Sequence, residues 1–235
     1  MTFVPIELQV LPDADAVARH AARYIAALSR DAIAARGRFT LAVSGGRTPW
    51  QMLRALAAEA VDWTNVHLFQ VDERIAPAGD PNRNLTHIRD SLLAHIVFPA
   101  ANLHAMRVED TDLDAAAARY ALELATYAGS PPVLDLVHLG LGPDGHTASL
   151  VPHDPVLAED HLDVALTGLY QGHRRMTLTY PVLDRARRVL FVVTGTEKAP
   201  VLPLLRDRDQ AIPAGCVTGE RALIMADAAA AGSAA

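Results

Sequence analysis

Short apolar runs recur along the chain, each closed by glycine, proline or a cluster of charge, and amphipathic stretches fill the intervals. Loose alternation over Phe3–Leu11 predicts an edge strand. From Asp13 to Arg36 the residues Val17, Ala21, Tyr24, Ile25, Leu28 and Ile33 fall on one stripe, which predicts a helix stopped by Gly37. Phe39–Val43 reads as a buried strand, followed by a helix that Thr48 caps and Pro49 opens, running to Ala60. Val66–Val71 is the next strand, and a helix starts at Asn82 or Asn84 with Leu85, Ile88, Leu92 and Leu93 on one face. Leu103–Met106 predicts a short strand, Leu113–Tyr127 a helix, and Leu134–Leu139 a buried strand. Val164–Leu166 and Met176–Thr179 predict short strands, Val189–Thr194 a buried strand leading into a helix with Lys198, and Ala222–Met225 the last strand. Strands alternating with helices point to an α/β fold, a mostly parallel sheet covered on both faces. Residues 1–227 fit one domain with room for a small lobe, and the alanine-rich tail 228–235 is expected to fray.

Composition narrows the class. Hydrophobic residues make up 51% and charged residues 20%, enough apolar material for a core. The net charge of −6, without any Lys/Arg run, makes nucleic acid and anionic membrane poor partners. No apolar run approaches a membrane span, and the start MTFVPIELQV lacks the pattern of a signal peptide, so a cytoplasmic protein is expected. Cys216 is the only cysteine, which excludes an internal disulfide and a cysteine cluster for zinc. The ten histidines show no compact ligand spacing, so no metal is expected, and His67 and His138 read as structural groups within strands. Lys198 is the only lysine among 21 basic residues; arginine suits two-pronged recognition of phosphate or carboxylate.

The candidate chemistry collects where predicted strands end, the place at which open α/β sheets hold ligands. After Leu139 the turn Gly140-Leu141-Gly142-Pro143-Asp144-Gly145-His146 delivers an acid and an imidazole two residues apart. A histidine is readily poised as a general base, and a nearby carboxylate orients it and stabilises its cation. The alternative is a tight loop whose histidine caps the following turn. After Val43, Ser44-Gly45-Gly46-Arg47-Thr48-Pro49 leads into a helix start, the construction of a phosphate cradle, although it is not a Walker loop. Asp72-Glu73-Arg74 stands at the end of a third strand, with a surface ion pair as its plainer reading. Arg174 and Arg175 lead into a strand, and Lys198 follows another.

SGGRTP, VDER, GLGPDGHTASLVP, RRMTLT with its following proline, and VTGTEKA together resemble the 6-phosphogluconolactonase family, within the group that includes glucosamine-6-phosphate deaminase, over nearly the whole chain. The resemblance implies a modified Rossmann-like sheet and hydrolysis of 6-phospho-D-glucono-1,5-lactone, a small phosphosugar, with no metal or organic cofactor. It places the catalytic histidine at His146, with Asp144 as its accompanying acid and Arg74 as the arginine of the DER motif. It places substrate and phosphate binding on the Ser44, Gly45, Gly46 and Thr48 turn, on Asp72, and on the later basic residues Arg175 and Lys198. In the implied mechanism Arg74 or a backbone N–H of the Gly45-Gly46 turn steadies an oxyanion, while Arg175, Lys198 and the helix start hold the phosphate away from the reacting carbon. Family members often carry Ser-Asn where this chain has Arg83-Asn84, and tryptophan or glycine where it has Gln70-Val71. Related isomerases place a glutamate five residues after the histidine, where this chain has Val151. A non-catalytic sugar-phosphate sensor is the rival of another class; it would not need both Asp144 and His146. A monomer is expected, with a homodimer as the alternative.

Overall fold

The first long helix shows how local sequence sets each element. In the computed structural model, which describes residues 4–219 and 221–232, α1 (Ala14–Arg36) follows the edge strand β1 (Glu7–Leu11). Asp13 Oδ1 accepts the Ala16 N–H at 2.7 Å, and Gly37 ends the helix by donating its N–H to Ile33 O. Phe3, placed in the first strand by its pattern, lies outside the described residues. The chain continues through β2 (Phe39–Val43), α2 (Arg47–Leu56), β3 (Val66–Gln70), β4 (Asp72–Arg74), α3 (Asn84–Ser91), β5 (Leu103–His104) and α4 (Leu113–Ala128). Its second half supplies β6 (Leu136–Leu139), β7 (Val164–Leu166), β8 (Arg175–Leu178), α5 (Tyr180–Arg185), β9 (Val189–Val193), α6 (Leu202–Arg206) and β10 (Ala222–Asp227).

Seven strands form one parallel sheet in the order β1-β10-β9-β6-β2-β3-β5. Strand alternation divides the core into two layers. Phe39, Leu41 and Val43 of β2 face α1, α2 and α3, while Ala42 faces the layer built with α4, α5 and α6. A second, antiparallel sheet of β4, β8 and β7 packs on the latter side. Asp72-Glu73-Arg74 is therefore a strand of its own and no surface ion pair: Asp72 is 3% exposed and Glu73 fully buried.

Both ends of α2 differ from the sequence expectation, and Lys198 lies in a single 3-10 turn and not in a helix. Gly46, with φ of 115°, caps α2 two residues ahead of Thr48, a backbone conformation that side chains avoid. The helix also stops at Leu56, because Ala58 and Glu59 bond three residues back in a tightened last turn. In the alanine-rich tail, Asp227 Oδ1 accepts the Ala230 N–H and Ala230 is fully buried, so residues 228–232 form an anchored turn; residues 233–235 lie outside the described residues.

Two strand histidines are built into the core. His138 of β6 is fully buried and its Nδ1 accepts the Ser44 N–H at 3.3 Å, and burial lowers its pKa to about 3. His104 of β5 stacks on Phe69 and shares a 3.1 Å hydrogen bond with His67 Nδ1, and burial lowers its pKa to about 4. Both fold as neutral rings, so their contribution is complete above the unfolded value near 6.5 and is lost as pH falls through 4 towards 3. Denaturant unfolding at pH 7 and pH 4 should differ by up to about 6 kcal/mol. Equal stabilities at the two pH values would contradict this account.

Candidate active site

From β2 the sheet grows outward through β3 to β5, then the chain returns to β6 on the other side of β2 and grows through β9 to β10. The reversal leaves a crevice between the carboxyl ends of β2 and β6, where helices and loops diverge. A cleft of about 270 Å³ opens there. Ser44, Gly45, Gly46 and Thr48 line it from the β2–α2 turn, Asp72 and Arg74 from β4, His146 from the loop after β6, Arg175 from β8, and Lys198 from the turn after β9. Asp144 stands behind His146. The residues that the resemblance places in the site are thus in or directly behind one cleft, whereas Glu73, Arg83 and Arg174 are not.

The dyad is set by the loop that follows β6. Asp144 Oδ1 lies 2.5 Å from His146 Nδ1 and also accepts the His146 backbone N–H at 3.2 Å. Burial pushes the Asp144 pKa up, but the bonds and charge of His146 and a bond from Tyr170 outweigh it and hold the carboxyl well below the usual carboxylate range. An ionised carboxylate only accepts, so Nδ1 carries the shared proton, and in the neutral ring Nε2 is then the nitrogen with the lone pair. Gly142 N–H donates to His146 O at 2.8 Å and closes the turn. A methyl group at Gly142 would stand 2.0 Å from His146 Nδ1 and 2.6 Å from Asp144 Oδ1. Gly142→Ala should therefore lower turnover by about a hundredfold through displacement of the imidazole. The thermal midpoint should barely move, and a fully active variant would show that the dyad does not need this close approach.

The cations are placed by strand pairing. Arg74 of β4 and Arg175 of β8 are directly opposed in antiparallel register. Like charges so placed repel. Among the described residues neither has a carboxylate within ion-pair distance, and the Nε atoms of both are buried without a hydrogen-bond partner. Arg74 Nη1 donates to Asn82 O at 2.7 Å. Arg175 is 3% exposed, and burial draws its pKa down. Lys198 is only loosely tied to Glu197, at 3.7 Å. The turn bearing Lys198 is fixed from below, since Gly195 N–H donates to both carboxylate oxygens of Asp227. Thr48, displaced from the capping position, shares a 2.6 Å hydrogen bond with Thr194 and ties α2 to the end of β9. Pro49 has no N–H and Trp50 N–H closes the first turn on Gly46 O, which leaves the N–H groups at the start of α2 open to an anion.

Buried acids support the walls. Asp72 accepts Ser149 Oγ–H at 2.6 Å and Asn84 Nδ2 at 3.0 Å. Ser149, three residues after His146, thus holds Asp72 from the loop after β6. Glu73 points the opposite way from Asp72 and Arg74 and accepts from Asn84 N–H at 2.7 Å, Leu85 N–H at 2.9 Å and Gln70 Nε2 at 2.8 Å. It thereby caps α3 and faces Arg83 Nε at 3.2 Å. Arg83 turns away from the cleft to Glu73, Ala76 O and Glu109. Arg174 donates to Thr167 O and lies outside the cleft lining.

Sequence reasoning missed Tyr170, whose hydroxyl donates to Asp144 Oδ2 at 2.8 Å, and Gln171, which lines the cleft. The Gln171-Gly172 pair between two short strands is a hairpin signal that places Tyr170 at the turn. A larger cleft of about 720 Å³ lies at the amino ends of the strands and is rich in arginine. Arg36 and Arg187 there both reach Asp135, Arg185 reaches Asp163, and the dyad is on the opposite edge of the sheet. Among the described residues no three His, Cys, Asp or Glu side chains gather as a metal site, and no helix is long and apolar enough to cross a membrane.

Residues 12–225 match the family described as glucosamine-6-phosphate isomerases/6-phosphogluconolactonase. A 6-phosphogluconolactonase of Nostoc sp. is 38% identical over 83% of this chain and 82% of its own length. One of Streptomyces coelicolor is 35% identical over 96% of this chain and 93% of its own. The crystal structure of the 6-phosphogluconolactonase from Thermotoga maritima superposes with a TM-score of 0.84 at 25% identity, covering 94% of this chain and 99% of that one.

Proposed function

Since this chain belongs to the family of glucosamine-6-phosphate isomerases and 6-phosphogluconolactonases, we propose that it hydrolyses 6-phospho-D-glucono-1,5-lactone to 6-phospho-D-gluconate, a step of the oxidative pentose phosphate pathway. The family spans two activities, and the site separates them. Five residues after His146, where the isomerases need a proton-transferring glutamate, Val151 is apolar and buried. The observation that carries the lactonase reading is one cleft holding both a carboxylate-backed imidazole and two arginines in opposed register that, among the described residues, have no carboxylate within ion-pair distance.

A lactone is an activated ester, so the work is to deliver water and stabilise an oxyanion. His146 Nε2 takes a proton from a water molecule as its oxygen bonds to C1 and the carbonyl electrons move onto oxygen. Asp144 stabilises the imidazolium that results. As the tetrahedral species collapses, the bond from C1 to the ring oxygen breaks and the imidazolium returns its proton to that oxygen. Arg74 and Arg175, with Lys198 and the open N–H groups of α2, supply the positive charge for the 6-phosphate and for the oxyanion. Arg175 stands closer to the dyad than a purely remote phosphate clamp requires, through its contact with Tyr170. Ser149 is spent on Asp72, so no covalent nucleophile is assigned. No step calls for a metal or organic cofactor, and the assigned setting is a cytoplasmic monomer acting on a small phosphosugar.

The test is hydrolysis of freshly generated 6-phosphogluconolactone, with the spontaneous rate subtracted. Rapid turnover, with much slower turnover of the lactone lacking phosphate, supports the reading. Tight phosphosugar binding without turnover would favour a sensor and overturn it.

A further inference from the structure

We propose that Tyr170 is a positioning residue that ties the His146–Asp144 dyad to the Arg175 guanidinium, so that one side chain sets both the base and the anion clamp. The proposal rests on the reading of His146 as the general base.

The hairpin between β7 and β8 makes the placement of Tyr170 rigid. Its turn residues Gln171 and Gly172 have φ of 49° and 83°, and Tyr170 and His173 exchange backbone hydrogen bonds of 3.0 and 3.1 Å across them. Two residues in the left-handed region, closed by such a pair, match the twist of the flanking strands. The Tyr170 ring meets His146 edge-on at 5.4 Å, and the Arg175 guanidinium lies 5.0 Å from the ring centroid. The hydroxyl engages Asp144 Oδ2, while Oδ1 serves His146, so both carboxylate oxygens are held and the imidazole has one orientation.

Two consequences separate the hydroxyl from the ring. The hydroxyl withdraws charge from Asp144 and so moderates how strongly that carboxylate stabilises the imidazolium. Burial, and then its bond to Asp144, push the Tyr170 pKa up to about 12, which keeps it a donor at any working pH. The ring provides an aromatic face for a buried cation that lacks a carboxylate partner. The other charged groups facing the dyad across the cleft are Asp72, Arg74 and Arg175 from the small sheet, Arg47 from the start of α2, and Glu197 with Lys198 after β9. None changes in the variants below.

Tyr170→Phe keeps the ring and removes the hydroxyl. It should lower kcat by about five- to tenfold, the equivalent of one hydrogen bond, and leave KM within about twofold. The acidic limb of its pH–kcat/KM profile should move up by about half a unit, because Asp144 becomes more basic. Tyr170→Leu removes the ring as well, and should add a rise in KM of about fivefold as Arg175 loses its platform. Wild-type kcat and an unmoved acidic limb in folded Tyr170→Phe would overturn the proposal. So would a change confined to KM, which would make Tyr170 only a wall of the cleft. His146→Ala, assayed in parallel, separates the two failures. If it retains turnover, the general-base reading fails and this proposal with it; if it loses turnover while Tyr170→Phe matches wild type, this proposal alone fails.

Discussion

Replacing His146 by alanine should lower kcat/KM for the phosphorylated lactone by about a thousandfold while leaving the fold intact. The side chain lies at the cleft, one-fifth exposed, and its bonding is confined to Asp144 and Tyr170, so little packing depends on it. What is lost is the acceptor for the proton of water. Residual catalysis should persist, because on the proposed mechanism the cationic lining would still bind the phosphate and steady the oxyanion. The measurement is initial hydrolysis rate on fresh lactone together with the thermal midpoint of the same preparation. An active His146→Ala protein would retain the lactonase assignment but move the base to another residue. A thermal midpoint far below wild type would instead make the histidine structural.

The largest effect on stability is expected at Glu73. Glu73→Ala leaves the Arg83 guanidinium buried at 3% exposure and strips acceptors from Gln70, Asn84 and Leu85. Removing one partner from such a buried pair costs about 3–5 kcal/mol. For a chain of this size that corresponds to a drop in thermal midpoint of roughly 10 °C. Activity should fall too, since Asp72 and Arg74 flank Glu73 on the same three-residue strand. Adding Arg83→Met to Glu73→Ala should recover part of the loss by removing a buried cation whose remaining carboxylate partner is the half-exposed Glu109 at 3.5 Å. A Glu73→Ala protein as stable as wild type would show that the carboxylate is not what holds α3 to β4.

The main sheet was legible because its strands are long enough to show continuous burial and its helices long enough to show a stripe. Phe39–Val43 and Val189–Val193 are buried at every position, and α1 buries the face that its spacing marks. The dyad was legible for another reason: Asp144 and His146 belong to one turn, so chain connectivity alone brings them together. The small sheet was not. Three residues of β4 carry no periodicity, and their partner β8 lies in the other half of the chain. Asp72-Glu73-Arg74 has the composition of a surface, and only the donors gathered around Glu73 make its burial tolerable. Thr48 has the chemistry of a cap, but Gly46 can adopt a backbone that starts the helix earlier. Tyr170 was missed because the Gln171-Gly172 signal places it at a turn but not against Asp144; its importance comes from a hairpin folding back onto a loop formed earlier in the chain. Asp227 and Thr194 escaped notice similarly, since each acts on another strand's turn.

The opposition of Arg74 and Arg175 also bears on how the enzyme behaves in solution. If these two guanidiniums hold the 6-phosphate, as proposed, inorganic phosphate or sulfate in a buffer should compete with the lactone and raise its apparent KM. Hydrolysis leaves the 6-phosphate unchanged, so on that reading the product keeps the group that these arginines would bind. Accumulated 6-phosphogluconate should then compete for the same cleft, and sustained flux would depend on the reaction that next consumes it.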